Sequence, residues 1–518
     1  MSASTERKNR QAAREAGTDK KTLAAQEEAR RKAVSKRKWT LGTILVVLLV
    51  ACILVLNSGL LYTHTTAVTI GDTRYSPADV NYRYAEEYLN FANQYGSYAS
   101  LFGLDTSLGL AGLADQPCSM TDGGSWKDYF LDSAISGMVQ NKALLDYAAA
   151  NSVTLDQDEI DAVDAQFDGL DDYAKSLGYA NGNALLATNY GTGVNQKLAR
   201  QALMDRSLAA KAYTSKMESL EYSAEALEEY YQSLAGASDV FAYALYHVAA
   251  ETVETTNEAG ETVTAPNDET RAAAKATAEA LAAAFEKAAG DDAAARLQAA
   301  LDELLPGETV SERSNVSGSA VAAAYHDWML DSARQSGDLT VAEDDSGCNV
   351  VIFLSRDDNH YPVAQVRHIL VKAVADENGV YTDEAKAEAK AKAEALLAQW
   401  EAGDKTEESF AALAEAESED AGSAANGGLY DEVRKGQMVP EFDAFCFGGH
   451  QSGDTAIVYG ESTSYAGYHV MYYVGEGALC SEVIARGNLE SEDMNTWLTG
   501  LTEGLEAVHG FGYRLIGK

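Results

Sequence analysis

The sequence lacks the residues and motifs on which several common chemistries depend. Its five cysteines (52, 118, 348, 446 and 480) show neither C-x-x-C spacing nor the density of a disulfide framework. No H-E-x-x-H, G-x-S-x-G or G-x-x-x-x-G-K-[ST] motif occurs. Zinc-ribbon, thioredoxin, metalloprotease, serine hydrolase and P-loop functions therefore have no support from motifs.

Proline and basic residues are also scarce. Six prolines in 518 residues, against ~5% in average proteins, are typical of a mainly helical chain broken by short strands. Lys plus Arg total 40 against 79 Asp plus Glu, which gives a formal net charge of −39. Nucleic-acid affinity depends on clustered basic side chains, so we expect no nucleic-acid partner.

The few basic residues are concentrated at the N-terminus. Residues 1–38 hold 12 basic and 5 acidic side chains, and no Asp, Glu, Lys or Arg lies between Lys38 and Asp72. The apolar run 41–62 is long enough to cross ~30 Å of hydrocarbon. By the positive-inside rule, the sequence predicts a basic cytoplasmic arm (1–38), a single transmembrane helix (39–62) and an extracytoplasmic remainder at the cytoplasmic membrane.

A cleaved signal peptide and a lipoprotein signal are alternatives to this anchor. Leu49-Val50-Ala51-Cys52 resembles a lipobox, but the apolar run continues through Leu56 and no A-x-A cleavage site follows. The anchor is favoured, and lipidation at Cys52 stays open.

Helical periodicity dominates residues 76–235. Ser76-Pro77 predicts a helix start, and one apolar stripe follows at spacings of three and four: Val80, Tyr84, Tyr88, Phe91 and Tyr95. A second helix is predicted from about Ser125, with Asp128 in its first turn. Such a stripe forms either a core or a surface for unfolded clients, and the sequence leaves both open.

Residues 246–358 and 367–473 contain an internal repeat. Tyr246-His247-Val248 precedes an Ala-rich helix, as Arg367-His368-Ile369 does, and Gln-Ser-Gly-Asp occurs at both 335–338 and 451–454. A strand opening with Gly follows each tetrapeptide, at Gly347 and Gly467. In the first repeat, residues 249–270 are predicted to be a long exposed loop.

Metal binding has little support. The eight histidines are scattered, and His450 with Cys446 has no second pair at ligand spacing. We predict no metal and no cofactor.

The second repeat carries a specific set of motifs. They are R-H-I-L-V at 367–371, F-A-x-L-A at 410–414, S-x-D-x-x-S-A-x-x-G-G-L at 418–429, G-Q-M-V-x-x-F at 436–442 and G-Y-H-V at 467–470. Over residues 363–476 this order resembles the parvulin family of peptidyl-prolyl isomerases. With the anchor and helical segment in front, the chain resembles extracytoplasmic foldases of the PrsA and SurA kinds.

The resemblance also implies which residues form the active site. His368 and His469 match the family's facing histidines, and Asp420 matches the position held by Asp or Cys; these three are the predicted catalytic residues. The predicted substrate-binding residues are Leu429, Met438, Phe442 and Ser464. The loop 373–383 has no Arg, so recognition of phosphorylated substrates is not expected.

Three functions compete. The first is a prolyl isomerase and foldase that acts on unfolded or partly folded exported proteins with X-Pro bonds. The others are a non-catalytic holdase chaperone and an envelope scaffold. The retained histidines and Asp420 favour the enzyme, because a holdase would need only apolar surface. The oligomeric state is not predicted.

The expected fold class is a multidomain α+β chain with one N-terminal transmembrane helix. It comprises a helical chaperone-like domain (63–235, with 481–518 packing on it), a degenerate parvulin-like domain (236–358) and a parvulin isomerase domain (359–480). The first repeat is degenerate because Asn349 stands at the position of His469, while His247 matches His368.

Overall fold

The computed structural model describes residues 3–17, 20–57, 59–256, 262–462 and 465–517. Ser464 and the side chain of Cys52 lie outside the described residues. The structure therefore does not bear on substrate binding by Ser464 or on lipidation at Cys52. The chain is a mixed helix and sheet protein with two compact units, residues 1–220 with 493–518, and residues 221–492.

The first unit is mainly helical. Its helices are α1 (Ala3–Glu15), α2 (Lys20–Asn57), α3 (Leu60–His64), α4 (Pro77–Tyr95), α5 (Trp126–Ala150), α6 (Gln157–Ala165), α7 (Leu170–Ser176), α8 (Gly182–Tyr190) and α9 (Gln196–Glu218). Short 3-10 helices cover 96–102, 106–108, 110–115 and 511–515. A three-stranded sheet in the order β13-β1-β2 joins β1 (Val68–Ile70) to β2 (Thr73–Tyr75) and to the C-terminal β13 (Ala507–His509).

Helices α4 and α5 start where the sequence predicts. Ser76 and Ser125 are the N-caps, and each forms a capping box with the Asp three residues later, Asp79 and Asp128. The predicted stripe of α4 packs with Trp126 and other aromatic side chains of α5 in one core. The stripe is therefore core and does not form an exposed client surface.

The N-terminal basic arm and most of the apolar run lie in α1 and α2. The side chains of residues 51–58, in the second half of the predicted span, are outside the described set. Among the residues described, no helix meets the length and hydropathy required of a membrane span.

The second unit holds the repeat. Its helices are α10 (Ala224–Ser233), α11 (Asp268–Lys287), α12 (Ala293–Leu304), α13 (His326–Leu330), α14 (Asp383–Glu401), α15 (Glu407–Glu417), α16 (Pro440–Cys446) and the first part of α17 (Cys480–Thr502). Its strands are β3 (Val240–Ala249), β4 (Thr252–Thr256), β5 (Thr262–Pro266), β6 (Ser311–Ser317), β7 (Leu339–Asp344), β8 (Gly347–Asp357), β9 (Pro362–Lys372), β10 (Leu429–Val433), β11 (Thr455–Glu461) and β12 (Ala466–Leu479).

The same topology occurs twice in this unit. The sheet orders are β6-β3-β8-β7 and β10-β9-β12-β11, and all strand pairs are antiparallel. In each repeat two helices follow the first strand and a short helix follows the second. The repeated sequence pattern thus corresponds to a repeated arrangement of strands and helices.

The prediction of one long loop at 249–270 is wrong for ten of these residues. Strands β4 and β5 pair antiparallel, with Thr252 opposite Pro266 and Thr256 opposite Thr262. The alternating Thr and Val residues favour strands, since β-branched side chains suit a pleated backbone. The polar composition of the segment concealed this pattern.

The two faces of the second repeat's sheet are covered differently. Helices α14 and α15 pack Trp400 and Phe410 on one face, against Ile369, Val371 and Val470. The other face carries Val366, Met471 and Tyr473, covered by Phe442 and Phe445 of α16. Because side chains alternate along a strand, this second face also receives His368 and His469.

A Gly-Gly turn leads into β10. Gly427 and Gly428 have φ values of +64° and +71°, in the left-handed region that favours glycine. The Gly428 carbonyl accepts the His368 amide at 2.9 Å, and a Cβ on Gly428 would lie 2.2 Å from the His368 carbonyl oxygen. The turn therefore requires glycine for both conformation and space.

We predict that Gly428→Ala destabilises this domain by more than the ~1–2 kcal/mol expected for a left-handed residue alone. Gly449→Ala is the matched control, because Gly449 has φ +77° and no described neighbour lies within 4 Å of the position that a Cβ would take. Hydrogen exchange of β9 amides in the two variants measures the difference. Equal protection in both would contradict the steric argument.

Candidate active site

The two histidines are placed by the register of β9 and β12. His368 pairs with Met471, and His469 pairs with Leu370, so the histidines are diagonal neighbours on one face. Their rings stack with centroids 5.1 Å apart, and the two Nδ1 atoms lie 2.9 Å from each other. His368 is 2% exposed and His469 is 4% exposed.

Asp420 reaches the histidines from the loop after α15. That loop is tied to β9, because the Leu370 amide donates to Ser418 Oγ at 3.1 Å and the Glu419 amide donates to the Leu370 carbonyl at 2.9 Å. Asp420 Oδ2 then lies 2.9 Å from His368 Nε2. The structure thus brings His368, Asp420 and His469 into one network.

Three further hydroxyl groups complete this network. Ser423 and Tyr430 donate to Asp420 Oδ2 at 2.6 and 3.0 Å, and Tyr465 Oη lies 3.0 Å from His469 Nε2. Sequence reasoning assigned no role to these residues. Ser423 belongs to the motif at 418–429, while Tyr430 and Tyr465 become visible only when the strand register is known.

The charges in the network follow from its contacts. The hydrogen bond from His368 holds the pKa of Asp420 below its ordinary value, against the raising effect of burial. Burial, reinforced by neighbouring His368, lowers the pKa of His469 to about 3. Burial and the charge of Asp420 raise the pKa of Tyr430 to about 12, so its hydroxyl remains a donor.

The charge of Asp420 fixes the direction of the hydrogen bonds that reach it. An ionised Asp420 only accepts, so His368 Nε2–H donates to it. One proton is shared between the two Nδ1 atoms, and His469 Nε2 pairs with the Tyr465 hydroxyl. The donors His368, Ser423 and Tyr430 therefore converge on one carboxylate at the edge of the buried site.

Phe442 forms the apolar side of the site. Its ring is 2% exposed and meets His368 and His469 nearly edge-on, at centroid distances of 5.4 and 5.2 Å. Met438 is half-buried against the same cluster. It precedes α16, which starts at Pro440, so Met438 and Phe442 do not share a helical turn, since a residue before proline disfavours the α conformation.

The expectation for Leu429 is corrected by the register. Leu429 pairs with Arg367, whose side chain lies on the helix-covered face, whereas Tyr430 pairs with Val366 on the His368 face. The Tyr430 and His368 rings are 5.3 Å apart. A shift of one residue reverses the face of a strand residue, so Tyr430 takes the place in the wall predicted for Leu429.

Ser464, a predicted substrate-binding residue, lies outside the described residues. The hydroxyl of the neighbouring Tyr465 contacts His469, and Gly460 on β11 leaves the space for it. A Cβ on Gly460 would lie 2.7 Å from His469 Nε2 and 3.0 Å from Tyr465 Oη.

His450 and the described cysteines lie outside the hydrogen-bonded network of the site. His450 stacks on Phe445 with centroids 4.3 Å apart, and its Nδ1 lies 3.4 Å from Asp454. Cys118, Cys348, Cys446 and Cys480 are buried free thiols. Among the described part of the chain, no group of three or more His, Cys, Asp and Glu side chains is placed to hold a metal ion.

The two repeats can be superposed by their backbone hydrogen bonds. Phe353 exchanges bonds with Gly337 and Asp338 of one Gln-Ser-Gly-Asp segment, and Tyr473 does the same with Gly453 and Asp454 of the other. A bulge follows each aromatic residue in its strand. Phe353 and Tyr473 are therefore equivalent positions.

This superposition gives the counterparts of both histidines. Asn349 precedes Phe353 by the same four positions by which His469 precedes Tyr473. Asn349 is therefore the counterpart of His469, as the sequence predicts. His247 pairs with Asn349, just as Leu370 pairs with His469, so the match of His247 to His368 is wrong. The counterpart of His368 is Leu245, and the first repeat lacks both histidines.

We predict that His469 makes the domain less stable in acid. The unfolded chain binds a proton at this residue below about pH 6.5, whereas the folded domain does so only near pH 3. Between these values the unfolded state holds the extra proton, so the free energy of unfolding falls as pH falls, by up to ~1.4 kcal/mol per unit. Above about pH 6.5 neither state binds this proton, so the folded domain keeps its full stability.

The measurement is hydrogen exchange of β12 amides from pH 4.5 to 7, corrected for intrinsic rates. His469→Gln should reduce the slope of opening free energy against pH, and His450→Gln, outside the network, should leave it unchanged. Identical slopes for the wild type and His469→Gln would refute the assignment.

Comparison with known proteins places this site in a family. The PPIC-type peptidyl-prolyl isomerase (PPIase) domain matches residues 349–472. Over 172 residues the chain is 33% identical to chaperone SurA of Alkalilimnicola ehrlichii. The match covers 29% of this chain and 37% of that relative. The chain therefore spans well under half the length of this relative.

Two solved structures are also similar. The peptidylprolyl isomerase PrsA of Bacillus anthracis is 25% identical with a TM-score of 0.18, over 28% of this chain and 59% of that chain. PrsA of Bacillus subtilis is 14% identical with a TM-score of 0.23, over 74% and 88%. From the match to residues 349–472, which hold His368, Asp420 and His469, the chain contains a PPIC-type peptidyl-prolyl isomerase domain of the parvulin family.

Proposed function

We propose that this protein isomerises X-Pro bonds in unfolded or partly folded exported proteins, at the outer face of the cytoplasmic membrane. The observation that supports the activity is the buried network of His368, Asp420 and His469 beside the apolar Phe442. His368, Asp420 and His469 are the proposed catalytic residues. Tyr430, Met438 and Phe442 are the proposed wall of the proline-ring site.

The reaction explains why such a site suffices. Rotation about X-Pro crosses ~18–20 kcal/mol and breaks no covalent bond, so it requires neither a nucleophile nor a metal. At the twisted transition state the amide loses resonance and becomes less polar. A dry apolar wall favours that state over the planar ground state.

The polar network has an orienting role in this proposal. Its hydrogen bonds converge on Asp420, the most exposed of the three predicted catalytic residues, with 20% of its side chain accessible. A fixed negative charge at the edge of a dry pocket acts on the substrate carbonyl without reorganising during the reaction. His368, paired with the neutral His469, holds that carboxylate in place.

Asp420→Asn tests the catalytic centre in the full chain. Removing the charge on which three hydrogen bonds converge should lower kcat/KM for an X-Pro tetrapeptide by about 10²-fold. Asp344→Asn is the matched control, because Asp344 accepts similar bonds from Ser346 and Asn349 at 2.6 and 2.7 Å in the first repeat. It should leave activity unchanged.

The same pair of variants tests the degeneracy of the first repeat. A large loss in Asp344→Asn with full activity in Asp420→Asn would place the isomerase in the first repeat. If both variants fold and neither loses isomerase activity, the holdase function is favoured over the enzyme.

The proposed location is supported by charge. Twelve basic residues precede an uncharged apolar stretch, and the rest of the chain is strongly acidic. A fixed anchor would keep the isomerase where exported chains emerge unfolded.

We predict that protease added to intact cells digests the chain after Tyr62 and spares the basic arm, whereas lysed cells lose both. Full protection of residues 63–518 in intact cells would exclude this topology. Release from the membrane by Cys52→Ser would show that lipidation provides the anchor.

A further inference from the structure

We infer that the first repeat forms one wall of the substrate site, and that an extended segment of the client flanking the proline lies in the cleft between β10 and the first repeat. This inference rests on the proposed isomerase function and assigns to the degenerate repeat a role in substrate binding. It concerns substrate residues beyond the X-Pro bond itself.

The cleft has a volume of about 680 Å³ and is lined by both repeats. One wall is the continuous stretch 430–437, which includes most of β10 and the turn after it. The facing wall consists of Val240 at the start of β3 and Asn315 in β6. Both β6 and β10 are edge strands of their sheets.

One end of the cleft is closed by contacts between the repeats. Lys435 Nζ donates to Asp357 at 2.9 Å, at the end of β8, and lies 3.7 Å from the centre of the Tyr361 ring. Gly436 lies directly against Asn315, because a Cβ on Gly436 would be 2.6 Å from Asn315 Nδ2. The two walls are therefore held at a fixed separation at this end.

The edge of β10 offers backbone hydrogen bonds to an extended chain. Gly428 and His368 of β9 form a hydrogen-bonded pair. In an antiparallel ladder, hydrogen-bonded pairs alternate with pairs that share no hydrogen bond. Tyr430 therefore directs its backbone groups toward β9 and Leu429 directs its groups away from it, while the bulge between Tyr430 and Val433 takes Asp431 and Glu432 out of the regular ladder. Binding through such an edge is independent of side-chain sequence, which suits an enzyme for unfolded clients.

The cleft is continuous with the active site through Tyr430. This residue lines the cleft, yet its hydroxyl donates to Asp420 at 3.0 Å and its ring lies 6.4 Å from that of Phe442. Gln437 lines the same wall and precedes Met438. A proline ring held at Met438 and Phe442 would thus have its flanking residues at the mouth of the cleft.

This continuity identifies the occupant as the proline-containing client. An extended strand of such a client gains main-chain bonds from β10 and contacts from Val240 and Asn315. A tetrapeptide is too short to use both the ring site and the cleft.

The test compares two substrates of the full chain, an X-Pro tetrapeptide and a twelve-residue peptide with the same central sequence. Val240→Trp fills the cleft from the first repeat, and Asp431→Trp fills it from the opposite wall. Thr340→Trp, on the opposite edge strand of the Val240 sheet, is the control for the added bulk.

Each cleft variant should lower kcat/KM for the long peptide about tenfold, equivalent to ~1.4 kcal/mol, and change the tetrapeptide value less than twofold. Thr340→Trp should alter neither value. Retained tetrapeptide activity shows that a variant is folded, and either cleft variant alone decides the question.

An unchanged ratio of long- to short-peptide kcat/KM in a folded cleft variant would overturn the inference. A change of oligomeric state in Val240→Trp, without a change in that ratio, would show that the cleft binds a second copy of the chain instead. If the wild type isomerises neither peptide, the proposed function itself fails.

Discussion

The antiparallel register of β9 and β12 is the constraint on which the site depends. It makes His368 and His469 diagonal neighbours on one face, with Nδ1 atoms 2.9 Å apart. Any other register would separate them or turn one toward the helices. The long pairing between these central strands holds the register, and the loop carrying Asp420 is fixed to the same strand through Leu370. The catalytic geometry is thus set by backbone hydrogen bonds.

Burial then determines the chemistry of this pair. A neutral His469 and an ionised Asp420 coexist because hydrogen bonds compensate the desolvated carboxylate while the imidazole has no comparable compensation for a charge. The result is a network with one charge at its accessible end and an apolar ring, Phe442, over its centre. Phe442 is also core, so its replacement by alanine would leave a cavity and cost ~3–5 kcal/mol of stability as well as altering the site.

The two repeats show how the same fold can carry or lose this site. Both have the same sheet order and the same bonds from a Gln-Ser-Gly-Asp segment to an aromatic strand residue. The first repeat has Leu245 and Asn349 where the second has His368 and His469, and Tyr325 packs on Tyr243 on the corresponding face. Fold depends on strand and helix patterns that survive these changes, whereas activity depends on a few side chains.

The sequence by itself determined the motifs of the second repeat, the capped starts of α4 and α5, and the occurrence of a repeat. These follow from local chemistry: side-chain caps, period and residue type. Only the tertiary structure decided that Tyr430 rather than Leu429 faces the site, and that Leu245 rather than His247 corresponds to His368. The reason is that alternation defines two faces but not which face is which, and a shift of two residues leaves the pattern unchanged. Register is set by pairing with a distant strand, and a single strand's sequence does not contain it.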